Sequence, residues 1–495
     1  MKERTMTCGA LALLTALLAS APLVIAQTTP AEKAHRANEL VQSGKPAEAI
    51  PLFKELAAAF PSELGLRVNL VIAEYKAGRY QETIAECQSL VKQKPDLFPA
   101  WLFLGASYLE MGEGRHAVEA LEKSLTLQPA DRNARVMLAD ALLEENRPQD
   151  AAANFEKASE SMPDSPRVLF GLARSYEGLG GEVFLRLEKA APGSPEWLAL
   201  GADFERDRSQ FARAFERYRQ ALSLRPSFPG RHTAIAEIYE KTGHPDWAAI
   251  ERAKEPHPVE CPDREPACQF AAGRLKEILS VRAGTPDAMY WQSKAWHALS
   301  QQAYAKLNGL PASSEKFQAA ALAAEQNGRY AEAAVAWKEA LRMAPDSPRI
   351  KRHLALALCN ANDCVSALPI IEDLLAREPS AAMLNLLCGT ALNAARKPGE
   401  ALSYLEKAVK LDGGLLAARA ALGEAFLEAG KPEKAVPELE AASKEDPDGS
   451  RHYQLARALR ETGKPELAAA VLREYKEILK KKESAEAEEP HITAP

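Results

Sequence analysis

Residues 98–131 read FPAWLFLGASYLEMGEGRHAVEALEKSLTLQPAD and contain two amphipathic helical segments joined by a turn. In the first segment, Trp101 and Leu104 recur at the spacing that places side chains on one face of a helix. Gly112 ends this segment, and Pro129 ends the second because proline cannot continue a helix. The stretch therefore predicts a helix–turn–helix unit, and it is the clearest of several such units in the chain.

The pattern of this unit recurs with a period of 34 residues. Four prolines keep the spacing in the first third of the chain: Pro61, Pro95, Pro129 and Pro163. Alanines keep the same spacing in the last third: Ala333, Ala367, Ala401 and Ala435. An internal repeat of this length is typical of arrays in which each helix pair stacks on the next. The chain is therefore predicted to be all-α.

Six residues of the unit, in this order and spacing, resemble the tetratricopeptide repeat consensus: Trp101, Leu104, Gly105, Tyr108, Ala117 and Pro129. The resemblance implies an α-solenoid, a right-handed superhelix of helix–turn–helix repeats with roughly eleven units. It also implies that the first helix of each pair lines a concave groove. The family serves as a binding scaffold, so the groove is the expected binding site.

The repeat frame divides the chain into segments, because it is clear near both ends and lost between Pro163 and Pro345. The predicted segments are a signal peptide (1–26), N-terminal repeats (27–165), degenerate repeats (166–254), an insertion with a cysteine-containing loop and a long helix (255–313), C-terminal repeats (314–479) and a disordered charged tail (480–495). In the degenerate region the second helix near 183–190 is expected to be truncated. The alternative is that the middle forms a small separate domain between two solenoids.

The first residues have the pattern of a secretory signal peptide. Lys2 and Arg4 precede an uncharged apolar run over 9–20, and small side chains lead to Ala26. The pattern predicts cleavage after Ala26 and export to the periplasm or the medium. The alternative is a membrane anchor, but the apolar run is shorter than the ~20 residues that a span requires. No later segment predicts a span.

Six cysteines remain after such a cleavage, and an exported protein meets an oxidising compartment. Two local pairs are candidate disulfides: Cys261 with Cys268, and Cys359 with Cys364. Cys87 and Cys388 lie at apolar positions of the repeat and are expected to be buried.

A metal site is the alternative interpretation of the first cysteine pair. It would combine His257, Cys261 and Cys268, with His297 as a possible fourth ligand. The spacing contains no C-x-x-C pair and no second cluster exists, so disulfides or free thiols are favoured over a metal. No cofactor is predicted.

Neither an enzyme nor a nucleic-acid-binding protein is indicated. The sequence contains no nucleophile elbow, no H-E-x-x-H motif and no phosphate-binding loop. Lys and Arg number 62 against 68 Asp and Glu, a net charge of −6, which does not provide the basic face that nucleic acid needs. The aromatic stretch 289–304 could be a ligand shelf, but its helical spacing favours core packing.

The repeat register gives candidate groove residues on first helices. They are Asn38, Tyr75, Arg174, Glu237, Glu240, Arg352, Asn393, Glu424 and Arg457. Their mixed charge predicts a polar protein or peptide partner. Some members of the family bind chaperone C-termini through a carboxylate clamp. Asn38 and Asn69 match two of its positions, but Ala34 replaces the first lysine, so that ligand is not predicted.

Three functions remain open from the sequence. The main hypothesis is an exported, non-enzymatic scaffold that holds a protein or peptide in its concave groove. A more specialised alternative is a periplasmic assembly factor for envelope or exopolysaccharide machinery. A third, of another class, is a metal or small-molecule site in the insertion 255–313.

Overall fold

A computed structural model describes residues 29–255, 265–487 and 491–495, which form 26 helices and no strand. The predicted signal peptide (1–26), His257 and Cys261 lie outside these residues. No helix within the described ranges combines the length and the apolar character that a membrane span requires. The chain divides into two compact units, Met1–Ala77 and Gly78–Pro495.

The described part of the first unit has three helices: α1 (Pro30–Gln42), α2 (Pro46–Ala59) and α3 (Leu64–Lys76). Thr29 and Glu32 form a capping box at the start of α1, which satisfies backbone N–H groups that a helix start leaves unpaired. The fully buried Phe53 fills the core among the small residues Ala37, Ala49 and Ala73. The unit is thus a helix pair with a third helix packed on it.

The second unit contains all the other helices. Its N-terminal repeats are α4 (Tyr80–Gln93), α5 (Phe98–Met111), α6 (Gly114–Leu127), α7 (Arg132–Glu144), α8 (Pro148–Ser159) and α9 (Pro166–Ala190). A middle module follows: α10 (Pro195–Asp207), α11 (Phe211–Leu224), α12 (Arg231–Lys241), α13 (Pro245–Arg252), α14 (Pro266–Ala271) and α15 (Leu275–Ser280).

After the middle module comes α16 (Pro286–Gly309). The C-terminal repeats are α17 (Ser314–Gln326), α18 (Tyr330–Met343), α19 (Pro348–Asn360), α20 (Cys364–Arg377), α21 (Ala382–Ala394), α22 (Pro398–Leu411), α23 (Leu416–Glu428), α24 (Pro432–Ala442), α25 (Ser450–Glu461) and α26 (Pro465–Ala487). This architecture is an all-α repeat solenoid.

Small residues on the first helix let the two helices of a pair approach closely. A Cβ placed on Gly105 of α5 would lie 2.5 Å from Cγ of Leu121 on α6. A Cβ on Gly389 of α21 would lie 2.4 Å from Cγ of Leu405 on α22. The repeating leucine therefore fills the space that the missing side chain leaves, which explains why the glycine and the leucine recur together.

Helices α9 and α16 are longer than the other helices of the stack before them, and they pack antiparallel along each other. The Ser293 hydroxyl donates to the Gly180 carbonyl over 3.2 Å. Tyr176 stacks on Trp296 with 5.4 Å between ring centroids, and Leu307 packs beside Phe170. Helix α9 also contacts α17, the first helix of the next pair. In the stack, α16 therefore acts as the second helix of the pair that α9 begins. The middle module is thus an excursion between the two helices of one pair.

The truncated second helix expected near 183–190 does not form. Instead, α9 runs without a break through Gly180 and Gly181 to Ala190. The glycines do not end the helix, because the antiparallel α16 packs along it on both sides of this point: Val183 and Leu187 are buried beyond the glycines. In the aromatic stretch of α16, Tyr290 and Trp291 are buried and pack in the core.

The structure also differs from the predicted disordered tail over 480–495. Helix α26 continues to Ala487. Residues 480–487 read KKKESAEA, and lysine, glutamate and alanine are strong helix formers even without a buried face. Further on, Ile492 packs against the middle module.

Candidate functional site

First helices of neighbouring pairs contact one another in the C-terminal repeats: α19 with α21, α21 with α23, and α23 with α25. The same holds for α5 with α7 and α7 with α9. In a stack of helix pairs, the helices that approach across successive pairs form the inner side of the local curve. The first helices therefore form the inner surface on which the groove residues were placed.

A shallow cavity of about 360 Å³, widely open to solvent, lies on this surface of the C-terminal repeats. It is lined by Arg396, Pro398, Glu428 and Arg457. Arg396 is exposed and its guanidinium lies 3.3 Å from the Glu428 carboxylate, whereas Arg457 pairs with Glu461 at 3.0 Å. The site therefore offers two arginines that are themselves accessible, Arg396 paired with a partly buried glutamate and Arg457 with an exposed one, and water screens such ion pairs enough for an incoming ligand to replace them.

Three of the predicted groove residues lie in this part of the chain. Arg457 lines the cavity itself. Glu424 is one turn before Glu428 on α23, and partial burial together with the Glu428 charge raises its pKa. Asn393 is buried, and its amide donates to the Ala421 carbonyl over 3.2 Å, so it joins α21 to α23 rather than facing a ligand.

Arg396 and Glu428 were not among the predicted groove residues. A signal for Arg396 existed, because its frame position holds Gly430 in the next repeat and Gly328 two repeats earlier, although the repeat between them has Asn362 there. Its φ is +60°, a left-handed conformation that glycine adopts freely and a side chain adopts at a cost. Asn146, Ser209 and Asn362 adopt the same conformation in the turns of other helix pairs, so what distinguishes Arg396 is its charge beside the cavity.

Arg352, another predicted groove residue, takes part in a contact between distant repeats. On α19 it pairs with Glu378 at 2.8 Å. It also donates to the Glu110 carbonyl in the last turn of α5, where unpaired carbonyl groups attract a cation. Next to it, Arg349 forms an ion pair of 3.0 Å with Glu144 on α7. The contact joins N-terminal and C-terminal repeats, so Arg352 is not free to bind a partner.

Burial changes the protonation of groups at this contact. Burial raises the pKa of Glu110 and Glu144, although the neighbouring arginines oppose the shift. His353 stacks on Trp337 with 4.5 Å between ring centroids. Burial lowers the pKa of His353 to about 4, and the charges of Arg349, Arg174 and Arg352 add to the effect. The imidazole is therefore neutral near pH 7.

The remaining predicted groove residues lie in four places. Arg174 on α9 lies over the Phe170 ring at 5.8 Å and faces the same contact as His353. Glu237 pairs with Arg206 at 3.3 Å, and the exposed Glu240 pairs with Arg252 at 2.6 Å. In the first unit, Asn38 is exposed and Tyr75 is half-buried. The seven groove residues of the second unit therefore do not form one continuous site.

A buried charge cluster holds the middle module to α16. The Asp203 carboxylate accepts hydrogen bonds from the Tyr218 hydroxyl at 2.6 Å and Lys294 at 2.9 Å, and from Arg231 at 3.3 Å. Burial opposes ionisation of Asp203, yet Lys294, Arg231 and Arg206 together hold its pKa well below the ordinary value. Because one carboxylate serves four helices, the cluster is structural rather than a site open to ligands.

The cysteines divide into bonded and buried ones. Cys359 and Cys364 form a disulfide across the turn between α19 and α20. Cys268 is disulfide-bonded, and Cys87 and Cys388 are free and buried. Among the described residues, no group of three or more His, Cys, Asp or Glu is placed to hold a metal ion.

The chain shares sequence with tetratricopeptide repeat proteins. It is 31% identical over 106 residues to the Hsp70-Hsp90 organizing protein of Triticum aestivum, covering 21% of this chain and 18% of that protein. It is 26% identical over 113 residues to a DnaJ homolog subfamily C member 3 homolog of Dictyostelium discoideum, covering 20% of this chain and 22% of that protein. The chain thus spans about a fifth of the length of these relatives.

One solved structure to which the chain was matched is a tetratricopeptide repeat protein from Parabacteroides merdae. It is 14% identical, with a TM-score of 0.32, covering 66% of this chain and 98% of that one. Two family models described as tetratricopeptide repeat match more than half of the chain: residues 40–107, 104–166, 136–195, 324–387 and 392–459. The chain belongs to the tetratricopeptide repeat family.

Proposed function

We propose that the protein is an exported, non-enzymatic scaffold that binds a protein or peptide partner on the inner surface of its C-terminal repeats. The observation that carries the proposal is the cavity lined by Arg396, Glu428 and Arg457. It lies on first helices and the turn beside them, and it combines charged groups of both signs. Its partner would present a carboxylate to the arginines, because a guanidinium binds a carboxylate in a planar, two-pronged geometry.

Two features support export. Residues 1–26 have the basic start, apolar run and small residues of a signal peptide. Independently, the disulfide between Cys359 and Cys364 is of a kind that persists in an oxidising compartment. Mass spectrometry of the protein from its native cells tests this part of the proposal. A first residue of Gln27 and an intact disulfide are expected, whereas an uncleaved chain with reduced cysteines would contradict export.

The binding function is tested by crosslinking and affinity capture from the native cell envelope fraction. We expect a reproducible partner that is lost from a double variant, Arg396→Glu with Arg457→Glu. The matched control is Arg342→Glu, a charge reversal on the exposed face of α18. The control makes the same change of charge at its site, but α18 is the second helix of its pair and does not form the inner surface. It should therefore retain the partner.

Two outcomes would contradict the proposal. One is a partner that the double variant and the control capture equally well. The other is the absence of any partner from a preparation in which the parent protein is folded, as judged by its helical circular dichroism.

A further inference from the structure

An aromatic patch lies on the middle module, away from the cavity of the C-terminal repeats. It consists of Phe211 and Phe215 on α11, Tyr239 on α12 and Trp247 on α13. Tyr239 is 5.6 Å from both Phe215 and Trp247, measured between ring centroids. Phe211 and Trp247 are half-buried. The patch therefore presents ring surface that another apolar side chain can cover.

Two cations flank the aromatic patch. The Arg219 guanidinium lies 5.7 Å from the centre of the Phe215 ring, and the Lys241 ammonium lies 5.7 Å from the centre of the Phe211 ring. The helix that carries Phe215 also contains Arg213 and Arg219 beside one acidic residue, Glu216, whereas its third arginine, Arg217, is paired with Glu205 of α10 at 3.0 Å. The surroundings of the patch therefore favour an acidic ligand.

A segment from the other end of the second unit, residues 491–495, occupies the patch. Ile492 packs against its apolar residues. The Tyr239 hydroxyl donates to the Thr493 carbonyl over 2.6 Å. Arg219 donates to the Thr493 hydroxyl over 2.8 Å. More than 250 residues of sequence separate Tyr239 from Thr493. The chain connectivity therefore does not force this contact, and the side chains of the patch have to bind the segment.

The contacts define what the patch recognises. One apolar side chain enters beside the rings, one backbone carbonyl is bound by a phenol and one hydroxyl is bound by a guanidinium. Residues 491–495 belong to no helix or strand, so their backbone groups are available for hydrogen bonds to the side chains of the patch. In sequence, the segment is preceded by Glu486, Glu488 and Glu489, which matches the basic character of α11.

We propose that the aromatic patch is a peptide-binding site whose resident ligand is the chain's own segment 491–495. A competing ligand is an extended peptide with a branched aliphatic residue followed by threonine or serine, and with acidic residues before them. Because tethering gives the segment a high effective concentration, such a peptide has to displace it before binding. This site is separate from the cavity of the proposed function and stands if that function fails.

The test measures binding of a fluorescent peptide, EAEEPHITAP (residues 486–495, acetylated and amidated), by fluorescence anisotropy. The proteins are the chain from Gln27, a variant that ends at Ala487, and an Ile492→Asp variant of the full chain. We expect both variants to bind the peptide at least about tenfold more tightly than the parent, because their patch is vacant. Equal, undetectable binding by all three would overturn the proposal.

Substitutions in the patch of the shortened variant locate the binding. Tyr239→Phe keeps the ring and removes the hydroxyl, and Arg219→Glu reverses one charge. Each is expected to weaken binding about tenfold, a loss typical of a hydrogen bond to a charged or buried group. The control Arg213→Glu makes the same charge change on an exposed position of α11 and should weaken it far less. Equal losses in Arg219→Glu and Arg213→Glu would mean general attraction to a basic surface, against a defined site.

The oligomeric state shows whether segment 491–495 occupies the patch of its own molecule or the patch of a second copy. The parent is expected to stay monomeric by analytical ultracentrifugation at concentrations where the peptide is excluded. A dimer that the variant ending at Ala487 no longer forms would show that the segment binds a neighbouring molecule, and the intramolecular assignment would be wrong.

Discussion

Arg349 on α19 and Glu144 on α7 form an ion pair of 3.0 Å, although 205 residues of sequence separate them. Both side chains are about one quarter exposed. A half-buried pair between distant repeats stabilises an arrangement that the stacking of neighbours alone does not dictate. Arg352 of α19 adds a second contact between distant repeats by donating to the Glu110 carbonyl of α5. The stability of the second unit is therefore not only the sum of contacts between neighbouring repeats.

Exchanging the charges of this pair tests its contribution. Arg349→Glu and Glu144→Arg are each expected to raise the hydrogen exchange rate of α7 and α19, since each places like charges opposite one another. The double variant restores the pair in reverse. We expect it to recover most of the protection, with a coupling free energy of about 1–2 kcal/mol in a double-mutant cycle. Additive effects in the cycle would argue against a direct interaction.

His353 is expected to make the protein less stable in mild acid. Its pKa in the folded state is about 4, below the ordinary value of 6.5. The unfolded chain therefore binds a proton as the pH falls through 6.5 while the folded one does not, and stability decreases until pH 4. Between pH 7 and pH 5 the loss from this group is about 2 kcal/mol.

A His353→Phe variant isolates this effect, because a phenyl ring can keep the stack on Trp337. Urea unfolding at pH 7 and pH 5 should show a smaller loss of stability for the variant than for the parent. The exposed His35, changed to Phe, serves as the control and should leave the parent's pH dependence in place. If both variants behave alike, the acid sensitivity comes from other groups.

Arg396→Gly separates stability from binding. Because glycine adopts the left-handed conformation without strain, the variant is expected to be more stable by about 1 kcal/mol, measured by thermal unfolding. At the same time it removes one of the arginines of the cavity and should weaken partner capture. A less stable variant would contradict the conformational cost at this position, and a variant that captures the partner fully would contradict a role of Arg396 in binding.

Two glycines of α9 predict opposite effects of the same substitution. A Cβ on Gly171 would lie 2.2 Å from the ring of the fully buried Phe155, whereas a Cβ on Gly181 meets nothing within 4 Å. Gly171→Ala is expected to cost about 1–3 kcal/mol through overpacking. Gly181→Ala should gain about 0.5–1 kcal/mol, because alanine favours the helix. Thermal unfolding followed by circular dichroism compares the two variants directly, and effects of the same sign would contradict the packing described here.

Much of the fold could be predicted because its determinants are local. The spacing of Gly105, Ala117 and Pro129 reports how two adjacent helices pack, and a period of 34 repeats that information along the chain. The continuous helix α9 could not be predicted in the same way. Gly180 and Gly181 favour a break by local propensity, and the partner that overrides them, α16, begins about a hundred residues later.

The candidate site was less predictable for a related reason. Register places Arg352 and Arg457 on equivalent faces of their helices, yet one contacts α5 and the other lines a cavity. The difference depends on which distant repeat faces each helix, and a repeat pattern contains no information on that. Arg396 was detectable, since a non-glycine residue in a glycine frame position is visible in the sequence.

The placement of the middle module between α9 and α16 affects how the protein can be divided. In this stack, α9 packs on α16, although six other helices lie between them in the sequence. A single cut anywhere in 191–285 leaves one helix of the pair without its partner, and the apolar faces around Tyr176 and Trp296 are then exposed on both fragments. Two cuts, one at each end of the module, and a splice from α9 to α16 would keep Tyr176 on Trp296, but they would expose Tyr290 and Trp291, which the module covers. A shortened protein therefore needs polar replacements at these two positions of α16, whereas insertions within the module leave the pairing of α9 with α16 untouched.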